Sequence, residues 1–513
     1  MTDIELDPVQ SPITKEKSEK AQDNEAILTD AEHEEPYEYS VFSMALRTYL
    51  TYFLGFAMIL STLTATIYFP LIPILSTQLR VSIQAINLTV TVYAIAQALS
   101  PAFFSSLADS FGRRPVLLCL VTLYAIPSLG LALNRTSYPA LLALRALQSI
   151  GGSSITSISY GIVADVAPVA ERGSMLGPML STCNGISAVG PVIGGAVALS
   201  TGGVRWVFLA LFIVAAVCVV LVGFTLPETA RTVVGNGSVP AVGIWRTWWS
   251  ILRKKRPQRE DGHDESHPSK EKRSWRFVNT FAAFRIILYR DAAAVLWMVA
   301  SSYSVYYTFQ VAIPVIFAKI YEYNDLEIGL VLLPGLAGMT IGGIIAGKLV
   351  DRNYAITARN HNVDPAEKKA KLRIDFPIEA ARYRNCFAFI LIEVLLVIGY
   401  GWTVYFRVHP AVPIVLQFFI CGTSTLLSHT ASALLVDIFP EMSSTAYASG
   451  QIMRCGLSAA SAAVIQPLIN AVGYGWYFTI FSLFIGTTGA GSVLISRLKG
   501  MKWRQKRVSQ QDA

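Results

Sequence analysis

The sequence predicts an all-α membrane protein of twelve transmembrane helices in two pseudo-symmetric six-helix halves. Three observations carry that expectation. Of the 513 residues, 53 % are hydrophobic and only 15 % are charged, where a soluble domain carries about 25 % charged. Apolar runs of bilayer-crossing length recur along the whole chain. Short charged motifs appear twice, at matching places before and after a long polar stretch in the middle.

A helix needs ~20 mainly apolar residues to cross the hydrocarbon of a bilayer. Such stretches lie near 49–73, 86–107, 115–134, 138–165, 174–200, 204–226, 292–318, 327–350, 385–406, 411–437, 445–471 and 475–496, spans one to twelve. Ahead of them, the first 40 residues carry twelve Asp and Glu against three Lys. That charge is wrong for the start of a signal peptide, and residues 1–47 read as a disordered acidic tail. The N-terminal half then covers 48–226, a solvated linker 227–291, the C-terminal half 292–497 and a basic tail 498–513. Within the linker, Ile244-Trp-Arg-Thr-Trp-Trp249 offers indole rings to a membrane interface.

An even number of spans places both termini on one side. Of the 42 Lys and Arg, 35 fall on that side and five (Arg80, Arg135, Arg205, Lys319, Arg407) on the other, with Arg145 and Arg454 inside spans. The positive-inside rule makes the richer side cytoplasmic.

The two halves echo each other. Asp109 closes span two in Ser105-Ser-Leu-Ala-Asp109-Ser-Phe-Gly-Arg-Arg114, and Asp351 closes span eight in Gly347-Lys-Leu-Val-Asp351-Arg-Asn-Tyr354. Span four ends in Asp165-Val-Ala-Pro168 and span ten in Asp437-Ile-Phe-Pro440, followed by Glu171 and Glu441. A duplicated six-helix unit is an architecture of secondary transporters that rock about a midplane site.

Other classes find little support. The net charge of +8 is spread over loops and forms no basic domain, so nucleic acid is not an expected partner. Six cysteines lie in apolar runs without paired spacing, which excludes a disulfide scaffold and a zinc site. No nucleotide-binding loop, metal constellation or Ser-His-Asp set occurs, so neither enzyme activity nor a cofactor is expected.

Several segments resemble the major facilitator superfamily. Leu107-Ala-Asp109-Ser-Phe-Gly112-Arg113-Arg114 resembles its signature between helices two and three, and Arg145-Ala-Leu-Gln148-Ser-Ile-Gly151 its helix-four arginine motif. Gly190-Pro191-Val-Ile-Gly194-Gly195 on span five resembles the antiporter motif of twelve-span drug:proton exporters, and Leu226-Pro-Glu-Thr229 closes span six as in many members. Tyr68-Phe-Pro-Leu-Ile-Pro73, Glu171-Arg-Gly173 and Arg454-Cys455 are similar to the fungal quinidine-resistance type of multidrug exporter. Ser105, Ser110, Ser149 and Gly450-Gln451 depart from the usual residues. The resemblance implies the major facilitator fold and proton-driven export of amphiphilic organic molecules.

Read physically, Asp109, Gly112, Arg113 and Arg114, with Asp351 and Arg352 in the second half, form a candidate latch that breaks when the halves separate. Asp165, Glu171 and Arg172 are expected to join it. A simpler reading is topological, arginines held at a cytoplasmic turn. Arg145 lies inside span four, where a charge in hydrocarbon costs about 2.5 kcal/mol or more. Positions 145, 149, 152, 156 and 159 share one helical face, expected to line a water-filled cavity. Glu393 on span nine either cycles a proton or pairs with Arg454 of span eleven. Arg145, Glu393 and Arg454 are therefore the proton-coupling candidates. Gly190, Pro191, Gly194 and Gly195 suit a tightly packed, bending helix.

Substrate-binding candidates are Thr62, Thr66, Ser149, Tyr303, Tyr307, Gln310, Gln417 and Ser424, on stripes that interhelical packing explains equally well. Of the sequons at Asn87, Asn134 and Asn236, Asn134 alone falls in an outer loop, and it is the glycosylation candidate. The function expected is a secondary active transporter, a proton-coupled exporter of drugs or secondary metabolites working by alternating access. It would act as a monomer in the plasma membrane, its partners being protons, a small amphiphilic substrate and the lipid bilayer. An uptake symporter or facilitator, and a non-transporting membrane sensor, stand as alternatives.

Overall fold

A computed structural model describes residues 39–68, 71–190, 193–194, 196–197, 204–253, 281–323, 325–361 and 376–511. Twelve long helices follow one another, and there is no strand among the described residues. Spans one to six are Met44–Thr66, Ile83–Phe111, Arg113–Leu133, Tyr138–Val166, Arg172–Ala188 and Arg205–Thr225. Spans seven to ten are Arg290–Ile320, Asp325–Asn360, Cys386–Tyr405 and Ala411–Ile438. Spans eleven and twelve form one element, Ser443–Gln511, divided at Gly473, whose φ of 80° only glycine adopts freely.

Eight of these helices are long and apolar enough to cross a membrane on their own. Spans four, seven and eleven fall short because they carry serine, glycine, tyrosine and arginine, and the described helix of span five is 17 residues long. Their surroundings explain the difference. From Gly151 to Val166 nearly every residue of span four is buried against other helices. A helix wrapped by protein need not be apolar all round.

Local signals set the boundaries. Ser43, Ser82 and Ser137 cap spans one, two and four by accepting from the backbone N–H of Leu46, Ala85 and Ala140. Span one ends at Thr66, earlier than expected, and a separate helix, Ile72–Leu79, follows it with Pro at its start. Span eight runs on to Asn360, and the last helix continues to Gln511 through most of the stretch expected as a tail.

One buried cluster gathers Leu54, Leu117 and Ile158 and reaches Val350 and Val436 of the other half, and another gathers Leu296, Leu434 and Val493. The first and last described residues lie toward the same end of the bundle. Tyr39 lies against span four, its hydroxyl donating to the Ala164 carbonyl at 2.7 Å, while Arg507 reaches Asp291 at 2.9 Å and Arg504 reaches Glu379 at 2.9 Å.

Candidate functional site

The halves meet along a seam between spans two and eleven and between spans five and eight. At the termini end it is tied by buried charge. Arg113, 3 % exposed, bonds Asp109 of span two and Asp165 of span four, the latter at 2.9 Å through Nε. The same guanidinium crosses to the other half, donating to the Ser444 hydroxyl at 2.7 Å and the Ser443 hydroxyl at 3.2 Å. Asp109 also crosses, accepting from the Thr445 backbone N–H at 2.9 Å and from the Thr445 hydroxyl. It thereby caps the start of span eleven, where the helix dipole favours an anion.

The second crossing is its counterpart. Asp351 accepts the backbone N–H of Gly173 at 2.8 Å and of Ser174 at 2.6 Å, capping span five from the opposite half. Arg172 bonds Asp437, which also accepts from Arg382 at 2.9 Å. Arg382 crosses in turn to the Val169 carbonyl at 2.9 Å. One carboxylate thus lies between two guanidinium groups, one from each half. The glycines beside this cluster have a steric reason: a Cβ on Gly173 would collide with the Gly347 carbonyl, and one on Gly161 with the Ser444 hydroxyl.

Some expected latch residues do other work. Arg114 stays within its half, donating to the carbonyls of Gly223 at 2.8 Å and Ile244 at 2.9 Å, and so holds the linker. Glu171 pairs with Arg47 at 3.1 Å inside the same half and is partly exposed, a contact of small energetic value. Arg352 is exposed and enters no ion pair among the described residues. Gly112 has φ 121°, and a side chain there would meet Glu228 and Trp245.

Other members of the cluster were not legible as site residues. Glu228 accepts the N–H groups of Arg113 at 2.8 Å and Arg114 at 3.2 Å, capping span three. Tyr39 accepts from Arg172 at 2.9 Å. Arg382 lay in a loop whose basic residues all read as topological. Only the Asp437 repeat pointed to this place.

The span-four stripe requires a correction. Arg145 does not line water: it is 1 % exposed, sandwiched between the rings of Tyr68 at 4.0 Å and Tyr93 at 4.3 Å. It donates to Gln148 at 2.8 Å, and Gln148 donates to Ser128 at 2.9 Å. Two π faces and an amide stand in for hydration. Ser149 bonds the Tyr93 carbonyl at 2.7 Å, inside the half and away from the seam. The alternative that Glu393 pairs with Arg454 is also corrected, since no ion pair joins them. Arg454 instead bonds Tyr447 at 3.0 Å and Gln451, and it lies over Tyr303 at 5.2 Å.

Across the seam, Tyr160 of span four stacks on Tyr447 of span eleven with centroids 3.8 Å apart. Arg454 rests on that stack. Tyr303 and Tyr307 lie 6.5 Å apart in span seven, partly exposed like Gln310. Thr62 and Thr66 face span five: Thr62 meets Cys183 at 3.3 Å, and a Cβ on Gly190 would stand 2.8 Å from the Thr66 hydroxyl. Gly194 lies as close to Ile67, while Pro191 and Gly195 lie outside the described residues. Gln417 is wholly buried beside Gly335, and Ser424 bonds the Ser302 carbonyl at 2.6 Å. Asn134 is folded into its turn, its side chain bonding the Ser137 backbone through both amide atoms.

At the far end an open surface groove of ≈ 770 Å³ lies at the start of span two, lined by Ser82, Gln84, Asn87, Leu88 and Thr91 of the N-terminal half. Two helical halves locked together by buried charge at one end fit a membrane carrier. The Major Facilitator Superfamily family model matches residues 54–463. The chain belongs to that family and is a multi-pass membrane transporter, not an enzyme.

Among curated proteins it is 32 % identical over 488 residues to Citrate exporter 1 of Aspergillus niger, covering 94 % of this chain and 92 % of that one. It is 29 % identical to Quinidine resistance protein 1 of Saccharomyces cerevisiae, covering 90 % and 85 %. The solved structure of the human organic anion transporter MFSD10 has the same fold, with a TM-score of 0.55 at 14 % identity, covering 87 % of this chain and 99 % of that one.

Proposed function

We propose that the protein is a proton-coupled exporter of amphiphilic organic compounds, in particular organic acids that carry a carboxylate on an apolar or aromatic frame. It works by alternating access, as a monomer in the plasma membrane, with both termini in the cytoplasm. The excess of Lys and Arg on the termini side supports that orientation. The arrangement described above is then a state closed to the cytoplasm.

The observation that carries the substrate class is Arg454. It sits on the seam, 8 % exposed, and its partners are tyrosines and the Gln451 amide, with no carboxylate among them. Its Nε has no hydrogen-bond partner. A buried cation without an acid is costly unless a ligand supplies the anion. Tyr303 and Tyr447 beside it offer ring faces to an apolar frame. The printed name of the Aspergillus niger relative, a citrate exporter, accords with a carboxylate substrate.

The test is transport in inside-out vesicles carrying the full chain, with labelled citrate and labelled quinidine as probes, with and without an uncoupler. Citrate should accumulate, collapse with the uncoupler, and fall to background in Arg454→Ala while Arg454→Lys keeps part of it. Accumulation that survives the uncoupler contradicts proton coupling, and normal citrate accumulation in Arg454→Ala contradicts the anion site.

A further inference from the structure

The C-terminal half holds a carboxyl that neither the charge network nor the seam uses. Glu393 lies in the middle of span nine and is 5 % exposed. Its Oε1 has no hydrogen-bond partner. The groups that face it are Ser424 and Cys421 of span ten. From span twelve, Gly486 comes up against the neighbouring Val394 and Ile390. No Lys, Arg or His acts on the carboxyl.

The hydrogen-bond directions decide what Glu393 carries. Ser424 has a single hydroxyl proton, and it is given to the Ser302 carbonyl of span seven at 2.6 Å. Toward Glu393 the hydroxyl therefore offers only lone pairs. A carboxylate in this place would have neither a donor nor a cation, which burial does not tolerate. A carboxylic acid fits, its own O–H donating to Ser424.

A polar track leads on from it. Gln417, Cys421, Ser424 and Ser428 follow one face of span ten. Both amide atoms of Gln417, the Ser428 hydroxyl and the Ser302 hydroxyl are buried without partners, as groups that meet water in another conformation would be.

Resting on the proton-coupled reading above, we propose that Glu393 is the carrier's proton-binding site, loaded in the state seen here and discharged to water along the span-ten track when the halves rock. On discharge the carboxyl O–H bond breaks, the proton leaves on a water molecule, and the carboxylate remains until it is reloaded. Glu393 exchanges no bond with the transported compound.

Infrared difference spectroscopy of the full-length protein in liposomes, titrated through neutral pH without substrate, reads the group directly. A protonated-carboxyl C=O band that fades as pH rises should be present in the wild type, absent in Glu393→Gln, and present at a shifted pH in Glu393→Asp. In the same liposomes, Glu393→Gln should keep citrate–citrate exchange and lose at least nine-tenths of the accumulation driven by a pH gradient. A titrating band unchanged in Glu393→Gln overturns the assignment, as does full gradient-driven accumulation in that variant. If the wild type itself ignores the pH gradient, the proton-coupled reading fails, while the infrared band still decides whether Glu393 titrates.

Discussion

At the residue scale, the structure places charge where its partners come from both halves. Asp437 is the clearest case, a buried carboxylate between Arg172 and Arg382. Its loss leaves two guanidinium groups uncompensated, and breaking such a buried set costs roughly 3–5 kcal/mol. Asp437→Ala should therefore melt well below the wild type in detergent, and an unchanged melting temperature contradicts the triad. Gly112 makes a smaller claim. At φ 121° and against Glu228, Gly112→Ala should cost on the order of 1–3 kcal/mol, read by the same melts. Sequence exposed these residues unevenly. Asp109 and Arg113 stood in a recognisable motif, but Arg382 carried no mark among loop arginines, and its fold-dependent reach to Asp437 and Val169 sets it apart.

At the element scale, the working parts are helix starts and glycine contacts. Spans five and eleven each begin against an aspartate from the opposite half, Asp351 and Asp109. Each cap therefore exists only while the termini end is closed. The Gly173–Gly347 approach allows that closure, and Gly173→Val should block it by collision with the Gly347 carbonyl. Transport should fall about tenfold or more, the factor that ~1.4 kcal/mol of bias on a two-state element produces. Vesicle uptake measures it, and wild-type rates would contradict the role of this contact. Periodicity alone missed part of this level. The span-four stripe is polar, and polar faces were expected to meet water. Here Tyr68, Tyr93 and Gln148 meet it instead. A one-dimensional pattern shows that a face is not lipid-exposed, but it does not distinguish water from a packed neighbour.

At the scale of the whole molecule, two halves built on one plan hold a sealed seam at the termini end. Twelve spans and their division into halves were legible from length, apolar runs and the repeated aspartates, because bilayer thickness imposes those features on any sequence. Spans four, seven and eleven are too polar to pass as independent spans, and the burial of span four against other helices explains its composition.

Alternating access requires the two ends to move in opposite senses. Spin labels on Ser110 and Glu441 report the termini end, and labels on Gln84 and Ala471 the far end, all four sites being exposed. Pulsed dipolar distances should be recorded on both pairs in liposomes as pH and citrate are varied. The account predicts that the first distance lengthens under the conditions that shorten the second. Two distances that stay fixed, or that lengthen together, would contradict it.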